Sequence, residues 1–509
     1  MVLGRKNKKA QYVAKRRKLT QLDENTSDKN SFLSSQAARK AELRSQEDLL
    51  NRKRRLDSDA ASKALRRSKD KTLVHHIRRC YAPTVDQLLN ASFVEVTAPT
   101  GVAARLVNGK TLHSAFSLGI EKGRATVYRQ MTGQRLEDMR RKWRYIRWLV
   151  IDEISMVSYE VLRSIHLRLQ EFKNCPDIFG GVNILLFGDI MQLSPVKGSW
   201  CFKQPLVFQG EPHLWHYFGL CELQTNVRQQ NDSQFIDILN NLRVGELSME
   251  QYEILLERSR VPLAGDFADG NAVQIFPTIK LVNNYNDKMV ELMADSVKIY
   301  TVNAHDESKE PATYGQKPNH VSIPQDPNCT GGLLSSIKIA IGARVMLRVN
   351  LKVSEGLVNG SMGVIKKIEW HGLRRDQLEE GELPKTIFIK FDDESIGKSS
   401  KDENGLIPIQ PHSIIFQGLR GYGNIERTMF PIILSWAVTV HKLQGTTVEK
   451  AVVYLGKKNF AKGQAYVALS RVKSLSGVAI CELDQRKLFN NPHDKLALAE
   501  LQRLRSSKD

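Results

Sequence analysis

Asp152 and Glu153 directly follow the apolar run Leu149-Val150-Ile151. An acidic pair at the end of a buried strand is expensive unless its charges meet a cation. One reading makes Asp152 a ligand for Mg²⁺ and Glu153 the base that polarises an attacking water. The other is an ordinary strand-ending turn. About 35 residues on, Leu186-Phe-Gly-Asp-Ile-Met-Gln192-Leu-Ser-Pro195 sets the Gln192 amide beyond the next strand, where it suits a γ-phosphate contact. Arg228, in Asn226-Val-Arg-Gln229, offers a cation for charge developing on a transferring phosphoryl group, or else a plain surface salt bridge. Near the C-terminus, Thr439, His441, Lys442, Gln444 and Gly445 cluster after an apolar run, a hydroxyl, imidazole, ammonium and amide set suited to phosphate and sugar. Arg471 lies at helical spacing from Tyr466 and Val467, with Tyr466 either core packing or part of the same site.

These groups need strand ends to hold them. Phe93–Val96, Trp148–Ile151 and Val182–Phe187 read as strands, the last two as buried ones, alternating with helical segments. That pattern predicts an α/β fold with a parallel sheet covered on both faces and its ligands at the carboxyl ends of the strands. The first such unit is expected over 91–219. A second is expected over 220–337 and 411–485, with its sheet resuming at Phe430–Trp436. Between its halves, 338–410 reads as a small inserted β-barrel with strands at Ile339–Leu347, Gly363–Ile368 and Thr386–Phe391. The Pro-, Asn- and Ser-rich stretch 301–335 reads as a long surface loop, and 486–509 as a charged tail.

Charge is distributed unevenly along the 509 residues. Residues 1–79 hold 23 Lys and Arg against 9 Asp and Glu, so they carry +14 of the formal +20. The remaining 430 residues have a net charge of only +6, so the isoelectric point says little about what the folded part binds. Residues 1–90 read as a basic arm, disordered or loosely helical, because too little apolar surface is present to fold it alone. Within it Lys15–Lys18 reads as a nuclear localisation signal, a phosphate-gripping patch or a solvated charge run. No apolar stretch reaches the roughly 20 residues needed to span a bilayer, and no secretory h-region is visible. Six scattered cysteines without CxxC spacing point to reduced thiols in an intracellular protein, with neither a zinc site nor a disulfide framework.

Taken in order, Ala98-Pro-Thr-Gly-Val-Ala103, Ile151-Asp-Glu-Ile-Ser155, Gly188–Val196, Asn226–Gln229, Val440-His-Lys-Leu-Gln-Gly445 and Tyr466-Val-Ala-Leu-Ser-Arg471 resemble the motif series of Pif1-type helicases of superfamily 1. They are also similar to the helicase part of Helitron transposon proteins. The likeness covers about residues 91–485. It implies two RecA-like domains with an SH3-like inserted barrel, and ATP- and Mg²⁺-dependent 5′-to-3′ unwinding of DNA. By the same likeness Asp152 and Glu153 match the Walker B pair, with Asp152 on the metal, and Gln192 matches the γ-phosphate sensor. Arg228 and Arg471 match arginine fingers, and Gln444 and Gly445 fall at the nucleotide. Pro99, Thr100, Gly101, Ser114, Phe116, Thr439, His441 and Lys442 fall where the family touches single-stranded DNA. The implied partner is single-stranded or forked DNA, bound by a monomer in the nucleus and also the mitochondrion, in repair, recombination and telomere maintenance.

One motif departs from the series. The Gly-rich Walker A loop belongs some tens of residues before Thr97, and residues 5–100 contain no glycine. Gly109-Lys110-Thr111 has Ala104 where the first glycine belongs, and Gly397-Lys398-Ser399 has Asp392 there. Without the loop's N–H cradle, lysine and hydroxyl, very weak or absent ATP hydrolysis is expected. The competing expectation is a non-catalytic nucleic-acid-binding remnant of such a helicase. A RecD-related exonuclease subunit is a third, but no nuclease carboxylate cluster supports it.

Overall fold

The computed structural model describes residues 93–119, 128–196, 198–268, 270–309, 323–372, 381–418, 423–457, 461–490 and 492–506. The basic arm of 1–90 lies outside them, as do residues 310–322 of the expected surface loop. The elements that follow all lie within Phe93–Leu214 and Gly219–Asp509, which make up one compact unit.

The first sheet consists of β1 (Val94–Ala98), β2 (Lys110–Thr111), β3 (Trp148–Ile151) and β4 (Asn183–Leu186), in the order β2-β1-β3-β4 with every pairing parallel. In β3 Leu149 and Ile151 are fully buried. In β4 the expectation of a buried strand is corrected. Asn183 is exposed and Ile184–Leu186 are half-buried, because β4 is the outermost strand of this sheet among the described residues. Between β3 and β4 runs helix α1 (Tyr159–Lys173), started by Ser158 Oγ accepting from the Val161 N–H and ended by Asn174 in the left-handed region. Its Leu162, Ile165 and Leu169 are buried at helical spacing.

The second sheet is also parallel: β5 (Val273–Phe276), β6 (Ala437–Thr439), β7 (Ala451–Leu455) and β8 (Val478–Leu483), ordered β6-β5-β7-β8. Every residue of β5 and β7 is buried, the polar Gln274 of β5 included, as in a parallel strand covered on both faces. Helices α2 (Ser233–Val244) and α3 (Gln464–Leu469) share its core through Phe235, Ile238, Leu239, Leu242, Val467 and Leu469.

The long excursion between β5 and β6 carries the antiparallel structure. Ile407–Ile409, Thr386–Phe391, Met362–Glu369, Arg344–Leu347 and Ile432–Leu434 pair in that order as a five-stranded sheet. Three readings are corrected here. Ile339–Leu347 is two strands, because a turn closed by the Ala343 N–H on the Ala340 carbonyl separates Ser336–Ile339 from Arg344–Leu347. The run Phe430–Trp436 does not resume the parallel sheet: Ile432–Leu434 pairs antiparallel with Arg344–Leu347, and parallel pairing begins only where the Gln274 N–H donates to the Trp436 carbonyl. Within 301–335, His305–Ser308 joins Asn424–Met429 and His412–Gln417 in a three-stranded sheet, and Tyr300–Asn303 pairs with Ser336–Ile339. The expected tail contains the helix Lys495–Ser506, which buries Ala497, Leu501 and Leu504 on one face. Among the described residues no helix is long and apolar enough to cross a membrane.

Candidate functional site

Strand β3 delivers Asp152 and Glu153 to the carboxyl edge of the first sheet. The Asp152 N–H donates to the Thr97 carbonyl at 2.9 Å, extending the β1–β3 ladder by one residue. Glu153 then turns into the left-handed region, φ 50° and ψ 50°, which a non-glycine residue holds only when its surroundings enforce it. The Ile154 N–H donates to the Phe187 carbonyl at 2.9 Å. Gly188 passes so close that a Cβ on it would stand 2.8 Å from the Ile154 nitrogen, at a φ of +140°. Gly188→Ala is therefore expected to lower stability by about 1–3 kcal/mol in urea unfolding; an unchanged midpoint would show that the turn yields. The enforced turn buries Glu153 Oε2, which has no hydrogen-bond partner among the described residues. Burial and the neighbouring Asp152 raise the carboxyl pKa, while Arg471 and Arg228 act against them.

The complementary groups come from the second half of the chain. After β6 a short turn, Val440–Leu443, leads to Gln444, whose Nε2 donates to Ser155 Oγ at 2.8 Å and to Gln192 Oε1 at 3.3 Å. A Cβ on Gly445 would lie 3.5 Å from Glu153 Oε1. Arg471 is buried just past α3, where its Nε donates to the Val467 carbonyl at 3.1 Å and its Nη2 to Ser470 Oγ at 2.9 Å. Burial and the like charge of Arg228 bring its pKa down to about 10, so it stays cationic at neutral pH. Arg228 donates from Nε to Thr447 Oγ1 at 2.9 Å and from Nη1 to the Ser470 carbonyl at 3.0 Å. The cluster thus contains a buried carboxylate able to accept a proton from water, an oriented amide, and two guanidiniums whose charge reaches the carboxylate.

Sequence reasoning missed the clasp behind this cluster. Arg243, on α2, donates from Nε to both oxygens of Asp189 at 3.1 and 3.0 Å, and from Nη2 to Oδ1 at 2.7 Å. The Tyr466 hydroxyl donates to Asp189 Oδ2 at 3.0 Å, and the Met191 N–H to Oδ1 at 3.0 Å. The Tyr466 side chain therefore belongs to the polar network as well as to the core. Gly188-Asp189 was legible as a strand end, whereas nothing local marks Arg243.

A buried carboxylate, an amide and two guanidiniums are the chemistry that the γ-phosphate end of a nucleoside triphosphate calls for. The cradle for the remaining phosphates does not fit among the described residues. Lys110 lies in β2 with its Nζ 2.8 Å from Glu95 Oε1. The Gly397 N–H donates to the Glu355 carbonyl at 2.7 Å, and Ser399 Oγ bonds the Glu355 carboxylate. Both Gly-Lys-Ser/Thr strings are thus engaged within the fold.

Residues 84–253 match the family model of the PIF1-like helicase. The chain is 31% identical to the ATP-dependent DNA helicase PIF1 of Homo sapiens across 81% of its own length and 57% of that protein's. It is 30% identical to the ATP-dependent DNA helicase PIF1 of Emericella nidulans across 78% and 55%. This chain belongs to the PIF1-like helicases. It spans little more than half the length of the curated relatives it matches. The crystal structure of the Pif1 helicase from Bacteroides, in complex with ADP-AlF3 and ssDNA, shares its fold with a TM-score of 0.59 at 25% identity, over 82% of this chain and 88% of that one.

The segments at which a PIF1-like helicase is expected to touch DNA occupy two strand ends. Pro99 and Thr100 are half-buried after β1, where Thr100 Oγ1 accepts from the Ala103 N–H at 3.2 Å and caps the helix Gly101–Leu106. Gly101 is buried, and a Cβ there would collide with Asn350 Oδ1. Thr439, His441 and Lys442 are half-buried after β6, burial lowering the His441 pKa. Ser114 is exposed on the short helix Leu112–Phe116. Phe116 is the exception and a correction to the expectation. It is 0% exposed, with its ring centroid 4.8 Å from that of Trp143 and 6.4 Å from that of Phe172, so its face is closed to a base.

Proposed function

We propose that this chain is an ATP-dependent 5′-to-3′ DNA helicase by lineage, a translocase on single-stranded or forked DNA, whose hydrolysis is very weak or absent in the 509-residue chain. The observation that carries the lineage is the convergence of the orphaned Glu153 Oε2, Gln192, Arg228 and Arg471 from separate segments. The relatives are named ATP-dependent DNA helicases, and the Bacteroides protein was solved with ADP-AlF3 and ssDNA. In this reading 91–219 holds the first RecA-like domain and 220–485 the second, interrupted by an antiparallel excursion over 300–434 that contains the inserted SH3-like barrel of 338–410, with a basic arm over 1–90 and the segment 486–509 flanking them. Glu153 is the base, Asp152 the Mg²⁺ ligand, Gln192 the sensor with Gln444 and Gly445 beside it, and Arg228 and Arg471 the arginine fingers. Pro99, Thr100, Gly101, Ser114, Thr439, His441 and Lys442 face the strand. The nucleus is the proposed compartment.

The impairment rests on the missing glycines of residues 5–100 and on the engaged Lys110 and Lys398 strings. Phosphate release should be measured with Mg²⁺, ATP and oligothymidylate. It is expected to be indistinguishable between the wild-type chain and Glu153→Gln. A robust rate lost in Glu153→Gln would overturn the impairment and leave a working motor. The second reading is a DNA-binding remnant that holds strands without ATP. Salt-sensitive binding combined with no ATP-dependent separation of a 5′-tailed duplex would favour it.

A further inference from the structure

The segment Arg348-Val349-Asn350, leaving the strand Arg344–Leu347 of the antiparallel sheet, runs between the two strand ends expected to meet DNA. At one end of it Asn350 Oδ1 fills the place where a Cβ on Gly101 would stand, and accepts from the Asn359 N–H at 2.9 Å. At the other, the Arg348 N–H donates at 2.8 Å to the carbonyl of Pro431, which immediately precedes the strand Ile432–Leu434 leading to β6 and Lys442. The Arg348 guanidinium is half-buried and donates from Nη2 to Asn328 Oδ1 at 3.1 Å. Its charge acts on Lys442. The Lys442 Nζ is withdrawn from water and has no hydrogen-bond partner among the described residues.

Two cations placed in this way destabilise each other. An ammonium removed from water without an acceptor carries a desolvation penalty, and a guanidinium in range adds like-charge repulsion. Asp326 is the acid whose charge reaches Arg348, and burial outweighs it there. An anion shared by the two side chains removes both costs at once, with the guanidinium supplying a fork and the ammonium a point charge.

We propose that Arg348 and Lys442 together seat one backbone phosphodiester of single-stranded DNA, so that the inserted antiparallel sheet contributes a phosphate contact of its own. This rests on the DNA-binding reading above. The unbranched Lys442 stem lets its ammonium turn to the phosphate, and Asn350 lies one residue beyond Val349 on the side of Gly101. The seat holds the strand without reading its sequence, as backbone contacts do.

The test is anisotropy of a labelled oligothymidylate with the full 509-residue chain across a salt series, with thermal melts to confirm folding. Arg348→Met is expected to weaken binding several-fold and to flatten the plot of log affinity against log salt by about 0.7, the loss of one single-strand phosphate contact. Arg348→Met combined with Lys442→Met should weaken binding less than the product of the two single losses, because both lose the same phosphate. An unchanged affinity and slope in Arg348→Met, or fully multiplicative losses, would overturn the shared seat while the DNA-binding reading stands. No binding by the wild-type chain would overturn both. Inorganic phosphate at constant ionic strength fits the same pair of cations and should displace the oligonucleotide more readily from wild type than from Arg348→Met. Equal displacement from both would overturn the seat.

Discussion

Replacing Phe116 by alanine is expected to lower the free energy of unfolding by about 3–5 kcal/mol and to leave the single-stranded DNA affinity of the folded protein unchanged. The side chain is 0% exposed and completes a three-ring cluster in which Trp143 and Phe172 are themselves 5.7 Å apart. Truncation removes the buried ring and leaves a cavity that two large aromatic neighbours cannot close without moving off their own contacts. The lost aromatic pairing adds to that cost. A stacking role predicts the reverse pattern, a binding loss of about 1–3 kcal/mol per base with little change in stability. Urea unfolding followed by tryptophan fluorescence, paired with oligothymidylate anisotropy, separates the two. A large affinity loss at unchanged stability would return Phe116 to the DNA path.

Phe116 also shows where sequence reading stops. The strands at Trp148–Ile151 and Asn183–Leu186 were legible from short apolar runs ended by polar residues, and Val94–Ala98 from the alternation of Val94 and Val96 with Glu95 and Thr97. The places of Asp152 and Glu153 were legible because they stand immediately past the end of Trp148–Ile151, and that of Gln192 because it follows Asn183–Leu186 within one turn of chain. A motif position does not say which way a side chain points, and Phe116 turns inward because Trp143, 27 residues away, closes over it. Apolar runs are equally silent about the partner strand. Phe430–Trp436 would suit a parallel or an antiparallel neighbour, and only the register with Arg344–Leu347 decides. The helix Lys495–Ser506 was hidden by its charge, since three buried residues among twelve suffice to seat it. Arg243 and Arg348 carry no local signature, because a cation acquires its role from a partner that the chain brings from far away.

Arg243 supplies the second large expected effect. Arg243→Met leaves the Asp189 carboxylate with the Tyr466 hydroxyl and the Met191 N–H but without its compensating charge, and is expected to destabilise the protein by about 3 kcal/mol. The pair is largely removed from solvent, with 21% of the Arg243 and 18% of the Asp189 side chain exposed, so salt screens it less than a surface ion pair. Asp189→Asn should cost a comparable amount by stranding Arg243. The double variant should cost less than the sum of the singles, because each single change leaves an unpaired charge that the double does not; a coupling of about 0.5–3 kcal/mol is expected. The clasp joins the end of β4 to α2 and α3, so its rupture should also speed hydrogen exchange at the Met191 amide, whose acceptor is Asp189 Oδ1. Single losses below about 0.5 kcal/mol that simply add would place the pair among surface ion pairs and remove it from the framework that holds Gln192 against Gln444.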